Sequence, residues 1–174
     1  MKPSLYENNI ITGITSSSTF KPNQEATRGE AALFLANALE LHTKNVNNPG
    51  FKDVPITSEY YGAIAALYEA GIVGGYGDMF RPDTTLTRAQ LAKMITIGFN
   101  LQKASNANTK FTDVNRLTDA NTKYYIQTLV DYNITRGTTT TTFSPNQNLT
   151  RGQLATFLFN AMNAVNEFEV ISIK

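Results

Sequence analysis

This chain writes nearly the same phrase three times, and that constrains its fold more than anything else in it. Phe-x-Pro followed five residues later by Thr-Arg occurs at Phe20, Pro22, Thr27 and Arg28, at Phe80, Pro82, Thr87 and Arg88, and at Phe143, Pro145, Thr150 and Arg151. The arginines are 60 and 63 residues apart. Upstream run Leu5, Ile10 and Gly13, then Leu67, Ile72 and Gly75, then Leu129, Ile134 and Gly137, with isoleucine spacings of 62 and 62. A repeat of this length is one supersecondary unit that cannot bury its apolar face alone, so the copies are expected to share a core.

A further element, Phe-x-Asp-Val, occurs only at Phe51, Asp53, Val54 and at Phe111, Asp113, Val114. The expected organisation is therefore a first repeat lacking its front half over 1–50, a complete second repeat over 51–110 and a complete third over 111–165, all in one compact domain. Residues 166–174 read as a tail or the start of a following segment. The Asn-rich stretches HTKNVNNPG and QKASNANTK read as linkers too short to separate independent domains. A missing first helix would be supplied by preceding sequence or by another chain, so an oligomer completing the first repeat is one expectation.

Each complete unit predicts two helices. In SEYYGAIAALYEAG the apolar positions Tyr60, Ile64, Leu67 and Tyr68 fall on one helical face, and Gly71 is placed to end the helix. KYYIQTLVDYN repeats this with Tyr125, Ile126, Leu129 and Val130, Asn133 replacing the glycine. The second helix is announced by Thr27-Arg28-Gly29-Glu30, Thr87-Arg88-Ala89-Gln90 and Thr150-Arg151-Gly152-Gln153, three capping boxes. Ala31, Phe34, Leu35, Ala38 and Leu39 then form an apolar stripe, matched by Leu91, Met94, Ile95, Gly98 and Phe99 and by Leu154, Phe157, Leu158, Ala161 and Met162. The fold class is all-α.

Arginine at the first helical position has the wrong sign for the helix dipole, yet it recurs three times. Free first-turn amides and a guanidinium together would make an anion site, the Arg fork matching a carboxylate or phosphate. The alternative is that each arginine pairs with a nearby acid such as Asp53 or Asp113 to brace its repeat. As an exposed first-turn residue, the arginine would contribute little to the core. The loops before Phe-x-Pro differ: TSSST over 15–19, five threonines over 138–142, and Gly74-Gly75-Tyr76-Gly77-Asp78 in the middle unit. Tyr76 offers a flat face to a sugar and the glycines permit close approach; a tight turn explains the same residues.

Composition removes whole classes of chemistry. There is no Cys, which excludes disulfides, thiolate metal sites and a cysteine nucleophile, and the lone His42 at a helix end reads as a surface residue. Neither metal nor cofactor is expected. With 15 Lys and Arg against 14 Asp and Glu, no basic field invites nucleic acid. No apolar run reaches a membrane span, so membrane insertion is not expected, and the opening MKPSLYENN lacks the order of a signal peptide. An exported parent protein would carry its leader upstream.

The order Phe-x-Asp-Val, helix, Gly-Ile-Val-Gly-Gly-Tyr-Gly-Asp, Phe-Arg-Pro, Thr-Arg-Ala-Gln resembles the S-layer homology domain, in three copies over nearly the whole chain. That resemblance implies a three-pronged spindle of pseudo-threefold-related helix-loop-helix repeats around a central bundle of short helices, with ligand grooves between neighbouring repeats. It implies an extracellular anchor at the bacterial cell surface, holding an S-layer or similar protein to a pyruvylated secondary cell-wall polysaccharide. Ligand-binding roles carry over onto Arg28, Arg88 and Arg151, and onto Gly75, Tyr76 and Gly77; Asp53 and Asp113 correspond to a residue that either lines a groove or caps a helix. The chain departs from the family in having no Trp, Tyr60 or Tyr61 standing in its place in the second unit, and in carrying Gln90 and Gln153 where Glu is common.

Acid capture by a helix-start arginine, with hydroxyl contacts from the loops, is thus the expected mechanism. The groove of Arg88 is expected to be best formed, since only Arg88 follows both a complete first helix and the Gly75–Gly77 loop. A structural module for protein–protein assembly is the alternative. An enzyme such as a glycosidase would need two carboxylates facing across a cleft, and no such pair stands at a recognisable spacing.

Overall fold

The computed structural model describes residues 10–11 and 20–172, and of 166–172 the backbone course alone. Leu5, Gly13 and the 15–19 loop of the repeat pattern lie outside the described residues. Six helices follow in order: α1 Arg28–Ala38, α2 Tyr61–Glu69, α3 Arg88–Gly98, α4 Thr112–Asn115, α5 Ala120–Asp131 and α6 Arg151–Ser172. Among the described residues the only β pairing is isolated bridges, so the chain is all-α.

All three capping boxes form. Thr27 Oγ1 accepts from Glu30 N at 3.2 Å while Glu30 Oε2 accepts from Thr27 N at 3.1 Å. Thr87 with Gln90 and Thr150 with Gln153 repeat the exchange. At the other end, helices α1, α2, α3 and α5 each stop with a residue in the left-handed region: Glu40, Gly71, Asn100 and Asn133. Around Gly71 the Ile72 amide reaches back to Leu67 O at 2.9 Å and Gly71 N to Tyr68 O at 3.0 Å. Asn133 and Ile134 do the same to Val130 and Leu129. These are Schellman closures, which satisfy carbonyls a helix end would otherwise leave open.

Compactness divides the chain into two units whose limits fall just before the capping residues Thr87 and Thr150 and within α6, away from the repeat boundaries. One comprises Met1–Leu86 with Leu149–Ala155, the other Thr87–Asn148 with Thr156–Lys174. In the first, α1 packs on α2 and buries Ala31, Phe34, Leu35, Ile64 and Leu67 with Phe51 and Phe80, whose rings meet at 5.6 Å. Tyr68, expected on the buried face, is about half exposed, its ring edge against Phe51. Three residues that precede the capping threonines link their backbones in this unit: Ala26 N donates to Leu149 O, Leu149 N to Leu86 O and Leu86 N to Ala26 O, at 2.8–3.0 Å. In the second unit α3 packs on α5 around Leu91, Ile95, Ile126 and Leu129, and Phe111 meets Phe143 at 5.8 Å.

The linkers are tied down by what they pass. Asn47 donates to Glu69 in α2, and Ala104 N to Thr128 Oγ1 in α5. The Thr43 carbonyl lies against Gly62, where any Cβ would collide with it.

Candidate functional site

Each motif arginine begins its helix with the backbone already engaged by a loop from a different repeat. Arg28 N donates to Thr84 O and Gly29 N to Pro82 O, both at 2.8 Å; Arg88 N and Ala89 N donate to Gln147 O and Pro145 O, both at 3.0 Å. Arg151 N and Gly152 N donate to Gln24 O at 2.8 Å and Pro22 O at 2.9 Å. With the remaining first-turn amides taken by the capping boxes, no bare amide faces a ligand. The expected pocket of free amides plus guanidinium is therefore not formed: carbonyls, which complement the positive end of the helix, fill it.

The arginines are also buried, against the expectation of exposed side chains: Arg28 is 9% exposed and Arg88 and Arg151 are 4% each. What faces each guanidinium differs. Arg28 Nε donates to Phe80 O at 3.0 Å and Nη2 to Gly74 O at 3.2 Å, with Cζ 4.6 Å from the Phe80 ring centre and 5.2 Å from that of Tyr76. Arg88 Nε donates to Phe143 O at 2.6 Å, and its Cζ lies over Phe143 and Phe157. Burial pulls both guanidinium groups below the ordinary Arg range, opposed at Arg88 by the charge of Asp113. At Arg28 the neighbouring Arg81 pulls the same way as burial, while Tyr76 and Asp53 oppose it.

Arg151 is the exception. Its Cζ lies 5.1 Å from the Phe20 ring, its Nε is 3.9 Å from Glu30 Oε1, and that Nε has no hydrogen-bond partner among the described residues. The bracing alternative thus describes Arg151, with the capping-box glutamate as its partner in place of Asp53 or Asp113.

Those two aspartates do something else. Asp53 accepts from Phe80 N at 2.8 Å and Arg81 N at 2.6 Å. Asp113 accepts from Phe143 N at 3.0 Å, Ser144 N at 2.7 Å and its neighbour Val114 N at 3.0 Å. Each fastens its own repeat's Phe-x-Pro loop, whose middle residue has a positive φ in all three copies: Lys21, Arg81 and Ser144.

Tyr76 N donates to Met79 O at 2.7 Å around a tight turn in which Gly77 has φ +65°. Gly75 is required for packing, because a Cβ there would run into the Phe51 ring, as one at Gly137 would into Phe111. Tyr76 remains 47% exposed. The turn meets Arg28 of the first repeat, whereas Arg88 meets the Phe143 end of the threonine loop. Loop and arginine are paired one repeat out of step, which reading along the chain could not reveal. The Gly74 and Phe80 carbonyls and Arg81 were missed for the same reason; Glu30, the one acid among three capping boxes, was visible as a difference.

The S-layer homology domain model matches residues 4–32, 50–92 and 110–155, more than half of the chain and one segment per repeat. The chain belongs to the S-layer homology domain family. Among similar proteins, an S-layer protein of Bacillus thuringiensis subsp. finitimus is 31% identical over 156 residues, 88% of this chain and 19% of that protein. A surface-layer 125 kDa protein of Lysinibacillus sphaericus is 31% identical over 186 aligned residues, 98% of this chain and 15% of its own length. An endoglucanase of Bacillus sp. (strain KSM-635) is 33% identical over 160 residues, 87% of this chain and 16% of the enzyme. The chain spans less than a fifth of each. S-layer homology segments are cell-wall anchoring modules, and membership indicates a cell-surface location. Among the described residues no helix is long and apolar enough to cross a membrane, and no group of three or more His, Cys, Asp or Glu is placed to hold a metal ion.

Proposed function

We propose that this S-layer homology segment is a non-catalytic anchor for an acidic, pyruvylated secondary cell-wall polysaccharide, with Arg28 as the acid-binding group and the half-exposed Tyr76 at the edge of the sugar site. The observation that carries this reading is the state of the Arg28 fork. Two edges are fixed by Phe80 O and Gly74 O, while Nη1 has no hydrogen bond to the described residues and the guanidinium carbon lies 5.2 Å from the centre of the half-exposed Tyr76 ring. A preorganised, partly desolvated guanidinium binds a carboxylate more strongly than a mobile surface one. Arg88 comes second, because the loop before Phe143 has threonine hydroxyls and no ring. Arg151 comes last, already opposite Glu30.

The test is calorimetric titration of a pyruvyl-ketal methyl glycoside into wild type, Arg28→Ala, Arg88→Ala and Arg151→Ala. Arg28→Ala should lose about 1.5 to 3 kcal/mol of binding, the worth of a charge-assisted hydrogen bond. Arg28→Lys should recover only part, since an ammonium lacks the planar fork. Wild-type affinity in Arg28→Ala would overturn the assignment.

A further inference from the structure

Arg28 is not the only cation on Tyr76. Arg81 Cζ stands 4.6 Å from the same ring centre, closer than Arg28 at 5.2 Å, and the Arg81 side chain is exposed. The equivalent residues are Lys21 and Ser144, so a guanidinium occurs at this position in one repeat, the one that also has the tyrosine.

The backbone is arranged to keep it there. Arg81 has φ +63°, unfavourable for a residue with a Cβ, and its amide is held by Asp53 Oδ2 at 2.6 Å. Asp53 directs its hydrogen bonds to the Phe80 and Arg81 amides, and the other acid of the turn, Asp78, is paired with Lys52 at 2.7 Å. Among the described residues no carboxylate forms an ion pair with Arg28 or Arg81. Two like charges over one ring repel, and an anion bound beside both relieves that repulsion.

Resting on the reading of Arg28 as the acid-binding group, we propose that Arg81 is a second anion contact, so that this site selects a glycan end with two acidic groups over one with a single acid. Arg28 takes the first acid from within the loop, and Arg81 meets the second from the solvent side of Tyr76. A phosphate and a carboxylate both meet the chemistry of the second acid, since a guanidinium fork accepts either.

Three probes decide it in calorimetric titrations: a pyruvyl-ketal methyl glycoside with one carboxylate, and the same glycoside with either a phosphate monoester or a carboxymethyl ether on the neighbouring hydroxyl. Wild type should bind the doubly charged probes about three- to fivefold tighter than the singly charged one, as for one exposed ion pair. Their ranking tells phosphate from carboxylate. Arg81→Ser, the third repeat's residue at a position with the same backbone conformation, should erase that preference while changing affinity for the singly charged probe less than about twofold. Arg81→Lys, the first repeat's residue, should keep part of it and guards against a folding defect in the serine variant. No preference in wild type, an undiminished preference in Arg81→Ser, or equal weakening of all three probes would overturn the second contact while leaving Arg28 capture intact. Loss of every probe in Arg28→Ala supports the underlying reading; full binding there would overturn both.

Discussion

Arg28 Nε donates to the carbonyl of Phe80 at 3.0 Å, fastening a helix start in the first repeat to a loop in the second. Arg88 does the same to Phe143 at 2.6 Å. The motif arginine is therefore a strut as well as a charge, and removing it leaves buried carbonyls without a donor. Arg28→Ala should lower unfolding free energy by about 2 to 3 kcal/mol in urea titrations, against the near-neutral change expected of an exposed first-turn residue. A loss below about 0.5 kcal/mol would mean that water replaces the guanidinium at both carbonyls.

The Arg151–Glu30 contact separates stability from binding. Arg151→Ala leaves the buried Glu30 without its cation and with only the capping hydrogen bond from Thr27 N, and should cost about 2 to 4 kcal/mol in the same titration while leaving affinity for the pyruvyl-ketal glycoside unchanged. Glu30→Gln keeps the cap that Gln90 and Gln153 show to be workable, so its cost should be smaller, about 1 kcal/mol. Weaker glycoside binding by a well-folded Arg151→Ala would move this arginine into the ligand site.

Helix ends supply a contrast between glycine and a residue that strains. Glu40 has φ +53° at the end of α1, where Gly71 has φ +70° at the end of α2. Glu40→Gly should raise stability by about 0.5 to 1 kcal/mol, the relief of a left-handed Cβ less the added freedom of the unfolded chain. Gly71→Ala should lower it by about 1 to 2 kcal/mol, although a Cβ there meets nothing within 4 Å. Thermal melts of the pair should therefore shift in opposite directions.

Tyr60 should show itself at high pH. Burial, reinforced by the charges of Glu59 and Glu30, pushes its phenol up to about 12, against about 10 in an unfolded chain. The folded state holds this proton more tightly, so the stabilisation is whole below about pH 10 and is lost as pH rises from there towards 12. Melting temperature should fall more steeply across that window in wild type than in Tyr60→Phe, which cannot ionise. Parallel curves would show that Tyr60 ionises as freely folded as unfolded.

Much of the architecture was legible in the chain. The capping boxes, the stripes that include Phe34, Met94 and Phe157 and the closures at Gly71 and Asn133 depend on residues within a few positions of one another, where spacing and propensity act directly. What spacing could not decide was which loop an arginine meets, because that depends on contacts between residues tens of positions apart: Arg28 with Phe80 and Tyr76, Arg88 with Phe143, Arg151 with Glu30. Nor could spacing show that the first-turn amides are already filled by carbonyls of Pro82, Pro145 and Pro22, or that Asp53 and Asp113 serve their own loops. By itself the sequence determined three like units and a cationic residue at each helix start. Only the tertiary structure made those like residues unlike, since the strength of a buried charge is set by the dipoles, rings and charges packed around it, and these come from other repeats.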